Sequence, residues 1–158
     1  MKVSFEVNSV EETWALARRL AAALADGEVV VLEGDLGAGK TTFTQGLAAA
    51  LGVPGRVNSP TFCIVQEHRG ARMLVHMDLY RLRGEDDVIA LGWDDYLAAG
   101  AIIVVEWPER AGALIPAGAV HVAFRHLPGE ENRAIEFSGA HAEAMAGAPA
   151  AAVVEEGR

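Results

Sequence analysis

A single cysteine, Cys63, among 158 residues excludes an intramolecular disulfide and any zinc site built from several thiolates. Aromatic residues are scarce, and there are only two lysines, Lys2 and Lys40, against eleven arginines. No stretch approaches the roughly 18 apolar residues of a membrane span. The longest candidate, residues 101–105, reads as a buried strand. Residues 1–10 lack the apolar core of a secretory signal, so with one cysteine the expected setting is cytoplasmic. Positive charge is also short: 13 Lys and Arg against 22 Asp and Glu leave a net charge of −9. That argues against a large sequence-independent grip on nucleic acid, which needs basic surface to displace counterions. A small local basic site stays compatible with it.

What is present suits one domain able to bury a core without staples. Residues 3–7 alternate apolar and polar, as in a half-buried strand. Ser9 with Glu12 has the form of a capping box, and behind it Val10, Trp14, Ala17, Leu20 and Leu24 recur at helical spacing up to Gly27. A strand is expected at 28–32, whose continuous apolar run at 29–32 is the mark of a strand covered on both faces. A glycine-rich turn at 34–40 and a helix over 41–51 follow. Strands are expected at 62–66 and 73–78, paired as an antiparallel hairpin about a turn at 68–70. Short acidic helices at 85–91 and 94–99 precede a second buried strand at 102–106. Alternating strands at 120–125 and 133–138 flank a Pro-Gly turn. From Gly139 onward there are eight alanines, Gly147 and Pro149, with few large apolar residues. Composition predicts a disordered or loosely docked tail over 139–158 behind a domain of residues 1–138.

Gly34-Asp35-Leu36-Gly37-Ala38-Gly39-Lys40-Thr41 matches the GxxxxGK[ST] phosphate-binding pattern, between a buried strand and a helix. Glycines let the backbone turn its N–H groups around a phosphate, and the following helix aims its positive end at the same anion. Lys40 is placed for the β- and γ-phosphates, and the Thr41 hydroxyl for Mg²⁺. In a chain that otherwise uses arginine, a compact ammonium here fits between phosphate oxygens.

Magnesium at a triphosphate takes one or two protein oxygens, and ligands of open α/β sheets collect at the C-terminal ends of strands. Two acids end buried strands. Glu106 follows the more fully apolar one and is the better metal ligand. Asp78 is then the group to orient or deprotonate the attacking water, or a more distant support of the metal. The bland alternative is that either acid caps a loop or pairs with Arg81 or Arg110. Ser59-Pro60-Thr61 stands where a nucleotide-sensing switch loop would, although alone it is a plain Ser-Pro turn. Trp107, before Pro108, is pushed toward an extended conformation beside Glu106. His76 and Asp78 face one side of a strand, but a third metal ligand is missing and a satisfied core histidine is the simpler reading.

Four motifs come in fixed order: Gly-Asp-Leu-Gly-Ala-Gly-Lys-Thr-Thr at 34–42, Ser-Pro-Thr-Phe at 59–62, His-Met-Asp-Leu-Tyr-Arg-Leu at 76–82 and Val-Glu-Trp-Pro-Glu at 105–109. Together they resemble the TsaE family (also called YjeE), the ATPase of bacterial tRNA threonylcarbamoyladenosine synthesis, over about residues 9–138. The resemblance implies an α/β P-loop NTPase sandwich of three layers, its mixed sheet having a parallel core and antiparallel additions. It implies ATP or ADP with Mg²⁺, slow hydrolysis alone, and action with the TsaD–TsaB pair that modifies adenosine 37 of tRNAs reading codons beginning with A. Transfer chemistry would belong to TsaD, and tRNA would be met only through the complex. Carried over residue by residue, nucleotide contact falls on Gly37, Ala38, Gly39, Lys40, Thr41 and Thr42, and metal ligation on Thr41 and Glu106. A catalytic or coupling role falls on Asp78, beside Lys40. Thr13 is similar to a family position near the adenine, and Arg133 to a basic residue that contacts nucleotide.

Three competing readings carry distinguishing features. A small-molecule or nucleotide kinase would use Arg81, Arg83 and Arg110 as phosphate clamps and would phosphorylate a small acceptor. A GTPase is disfavoured, since there is no Asn-Lys-x-Asp and no glycine three places after Asp78. A non-enzymatic adaptor would keep partner function in an Asp78→Ala variant that binds ATP without hydrolysing it.

Overall fold

The computed structural model describes residues 1–35, 37–55, 57, 64–147 and, for the backbone alone, 152–153. In chain order the elements are β1 (Lys2–Val7), α1 (Val10–Ala23), β2 (Val29–Gly34), α2 (Lys40–Ala50), β3 (Val65–Arg69), β4 (Met73–Asp78), α3 (Glu85–Ala90), α4 (Trp93–Ala98), β5 (Ile102–Glu106), β6 (Val120–His126), β7 (Arg133–Gly139), α5 (Ala142–Ala146) and β8 (Ala152–Val153). The strands form one sheet in the order β3-β4-β5-β2-β6-β7-β1-β8. Its centre, β4-β5-β2-β6, is parallel. β3 adds antiparallel at one edge, and β7, β1 and β8 add antiparallel at the other. This is the mixed α/β sheet that the resemblance implies.

Strand alternation divides the interior into two cores, one on each face of the sheet. Val30, Leu32, Ile102 and Val104 pack with Leu16, Leu20, Phe43, Leu47 and Met145 of α1, α2 and α5. Val29, Val31, Ile103 and Val105 pack with Val88 of α3 and Trp93 of α4. That two-sided burial is why β2 and β5 are continuous apolar runs rather than alternating ones. Among the described residues, no helix is long and apolar enough to cross a membrane.

Three local expectations change. The hairpin turn falls at residues 70–72, not 68–70, because β3 runs to Arg69, which pairs with Met73. Gly70 packs on the end of α2, where a Cβ would lie 2.5 Å from the backbone of Gly52 and Val53. Arg72 N–H donates to Leu51 O across the same junction. On α1 the buried stripe is Thr13, Leu16, Ala17, Leu20 and Ala21, and Val10 is exposed. The alanine-rich segment begins as part of the core rather than as a tail. Ala142 and Met145, three apart on α5, are buried. Arg19 donates from Nε and Nη2 to Ala144 O at 3.3 and 3.2 Å. His141 Nε2 lies 2.8 Å from Glu28 Oε2. Met145 is the one large apolar side chain of α5, set among alanines. Further on, β8 pairs with β1 through Ser4↔Val153 and Phe5↔Ala152. Expectations for Leu36, Ser59-Pro60-Thr61, Phe62, Cys63 and most of the residues after 147 lie outside the described residues.

Candidate functional site

The loop between β2 and α2 is built for an anion. Gly37 and Gly39 hold φ of +77° and +111°, which side chains with a Cβ rarely adopt. Helix α1 is capped by Ser9, whose Oγ accepts from Glu12 N–H at 3.2 Å. Helix α2 instead starts from Gly39, which has no side chain to satisfy its first amides. Each of the other four α-helices carries acid in its first turn, and α2 carries none. An uncapped positive helix end at the C-terminal end of a central parallel strand is the arrangement that receives phosphate.

Lys40, Thr41 and Thr42 form the first turn of α2 and are partly buried. The Lys40 ammonium lies across the loop, donating to Gly34 O at 2.7 Å, with Glu106 Oε1 3.5 Å away. Glu106 ends β5 and is 7% exposed. Burial alone would raise its pKa. The hydrogen bond and charge interaction with His76, then those with Lys40, outweigh burial and hold the carboxyl below the usual carboxylate range. Its second oxygen, Oε2, takes a 2.7 Å hydrogen bond from His76 Nε2. Asp78 ends the neighbouring strand in register with Glu106. Its Oδ1 accepts from Tyr80 N–H at 3.1 Å, while its own N–H donates to Ile64 O at 2.8 Å.

Among the described residues, no three His, Cys, Asp or Glu side chains gather around a possible cation position. The oxygen donors present, an ionised Glu106 and the Thr41 hydroxyl, suit a hard cation that takes its remaining ligands from water and phosphate. The residues therefore fit magnesium accompanied by nucleotide, and do not form a complete protein cage.

Arg133 opens β7 and reaches the same loop, its Nη2 lying 3.4 Å from Gly37 O while Nη1 donates to Glu130 O and Asn132 O. Beside it is a cavity of about 580 Å³ lined by Glu6, Val7, Asn8, Glu12, Leu127, Pro128 and Asn132. Thr13 stands next to this lining but is buried within α1, its hydroxyl 3.4 Å from Ser9 O. The structure thus brings together Gly37 to Thr42, Glu106, Asp78 and Arg133, and sets Thr13 slightly apart.

Trp107 departs from expectation. It adopts φ 60° and ψ 57°, in the left-handed region, rather than an extended conformation. The chain must turn sharply from β5 into the 3-10 turn Pro108–Arg110, and Trp107 takes up that turn at an order-of-magnitude cost of about 1–3 kcal/mol. Its ring is half-exposed and leans on Tyr80 with centroids 4.8 Å apart. Sequence reasoning also missed His76 as the partner of Glu106. Its position two residues before Asp78 marked the face but not the neighbouring strand. The cavity had no sequence signal, since its walls come from two segments more than a hundred residues apart, 6–12 and 127–132.

Comparison with known proteins identifies the family. The family model for threonylcarbamoyl adenosine biosynthesis protein TsaE matches residues 7–135. The tRNA threonylcarbamoyladenosine biosynthesis protein TsaE of Bacillus subtilis is 43% identical over 129 residues, covering 81% of this chain and 80% of its own. Its counterpart in Treponema pallidum is 39% identical over 104 residues, covering 66% and 77%. The crystal structure of Bacillus subtilis YdiB superposes with a TM-score of 0.72 at 32% identity, covering 92% of each chain. The chain belongs to the TsaE family.

Proposed function

We propose that this TsaE-family chain is a magnesium-dependent ATPase acting with TsaD- and TsaB-type proteins to form the threonylcarbamoyl group on adenosine 37 of tRNA. The observation that carries the reading is the convergence of the uncapped start of α2, the Lys40 ammonium and the ionised Glu106 carboxylate at the C-terminal ends of the central strands β2 and β5. Backbone amides of the loop cradle the phosphates. Lys40 leaves Gly34 O for the β- and γ-phosphate oxygens, where charge builds up during transfer. Thr41 and Glu106 would hold magnesium, which supplies neutralisation of phosphate charge when bound. Asp78, whose Oδ1 already accepts from the Tyr80 amide, orients or deprotonates the attacking water or supports the metal site from further out. Support for adenine comes from the cavity beside Arg133. Val7, Leu127 and Pro128 give it apolar walls, and Asn8, Glu12 and Asn132 add polar edges. With a net charge of −9, the chain leaves most of the hold on tRNA to its partners.

The test is ATP hydrolysis by the purified protein, alone and with a TsaD–TsaB pair plus tRNA, for wild type, Lys40→Ala and Glu106→Ala. The expected result is slow basal turnover, raised by the partners and lost in both variants. Indifference to the partners, with phosphate appearing on a small acceptor, would replace this reading with a P-loop kinase.

A further inference from the structure

His76 sits inside β4 with 1% of its surface exposed, on the face it shares with Leu74. A carboxylate only accepts hydrogen bonds, so the 2.7 Å contact is His76 Nε2–H donating to Glu106 Oε2. The other oxygen faces Lys40 at 3.5 Å. Glu106 is at a strand end, and its side chain would otherwise be free to turn about several bonds. A hydrogen-bond donor on Oε2 and a cation beside Oε1 fix the carboxylate's orientation. Thermal stability is a poor reason to keep such a pair, because well-packed apolar residues of similar volume often do as well. The site also carries an unsatisfied cost. Among the described residues, His76 Nδ1 is buried with no partner, and so is Oε1 of Gln66, which lies opposite His76 in the β3–β4 register.

We propose that His76 is a positioning residue: by holding Oε2 it presents Oε1 of Glu106 toward Lys40 and the first turn of α2, the place where magnesium accompanies the nucleotide. This rests on the reading of Glu106 as a magnesium ligand. A partner of this kind typically matters by about 10- to 100-fold in metal affinity.

The experiment measures the affinity for mant-ADP in EDTA and in Mg²⁺, and takes the ratio, for wild type, His76→Gln, His76→Asn and Glu106→Ala. The glutamine amide reaches about as far as Nε2, whereas the asparagine amide stops short of Oε2. His76→Asn should lose most of the tightening that Mg²⁺ confers, by about tenfold or more, and His76→Gln should keep most of it. Binding in EDTA should match wild type in the two His76 variants, a pattern that loss of packing alone would not produce. If His76→Asn fails to fold, His76→Leu takes its place. A wild-type ratio in His76→Asn, or an equal loss in His76→Gln, overturns the proposal. The Glu106→Ala control separates the two layers. If it loses the Mg²⁺ effect while His76→Asn keeps it, only the positioning role falls. If Glu106→Ala keeps the effect, the magnesium reading falls and the positioning role with it.

Discussion

Replacing Met145 with alanine should destabilise the protein, even though the residue lies in a stretch whose composition looks disordered. Its side chain is fully buried in the core between the sheet and the α1, α2 and α5 layer. Truncating a buried methionine to alanine costs about 2–5 kcal/mol, depending on how far the site can collapse. Helix α5 has five residues and lies near the chain end, so it can settle into part of the space. The low end, about 2–3 kcal/mol, is the better figure. For a chain of this size that corresponds to a fall in melting temperature of about 4–12 °C. Thermal unfolding followed by circular dichroism measures it, and Ala144→Ser, exposed one residue earlier, is the control and should change little. If Met145→Ala melts with wild type, α5 is not docked in solution and the domain does end near residue 138.

Two further predictions follow from the packing and the charges. Gly46→Ala in α2 gains about 1 kcal/mol of helix propensity, but its Cβ would lie 2.7 Å from Trp14 Cδ1, 3.0 Å from Ala17 Cβ and 3.1 Å from Trp14 Cα. Overpacking of about 1–3 kcal/mol exceeds that gain, so urea unfolding should show a net loss, and a more stable variant would mean that the helices separate easily. His68 has its pKa pushed below the ordinary 6.5, first by burial and then by the neighbouring His76. A depressed histidine pKa contributes stability above the unfolded value and loses it as pH falls through the folded value. Wild type should therefore lose stability relative to His68→Gln as pH drops below 6.5; parallel urea midpoints across that range would contradict the assignment.

Much of the site was legible because its signals are local. The spacing from Gly34 to Thr41 predicts a turn and a helix start whatever surrounds them, and the runs ending in Asp78 and Glu106 mark strand C-termini, where ligands of open α/β sheets collect. Periodicity located the main helices and most strand boundaries to within a residue or two. Tail docking was hidden, because counting apolar residues does not register a single methionine anchored among alanines. The conformation of Trp107 was hidden too: the preference of a residue before proline gave way to the turn that β5 needs on leaving the sheet.

What the sequence determined by itself was the chemistry available: an anion-binding loop, one lysine in it, and two acids at strand ends. What only the tertiary structure decided was who stands beside whom. Strand β4 lies next to β5, so His76 reaches Glu106 across the pair, and β7 returns Arg133 to Gly37 from 96 residues away. Those neighbours are set by the order of strands in the sheet. That order buries the central strands on both faces, and no window of adjacent residues carries it.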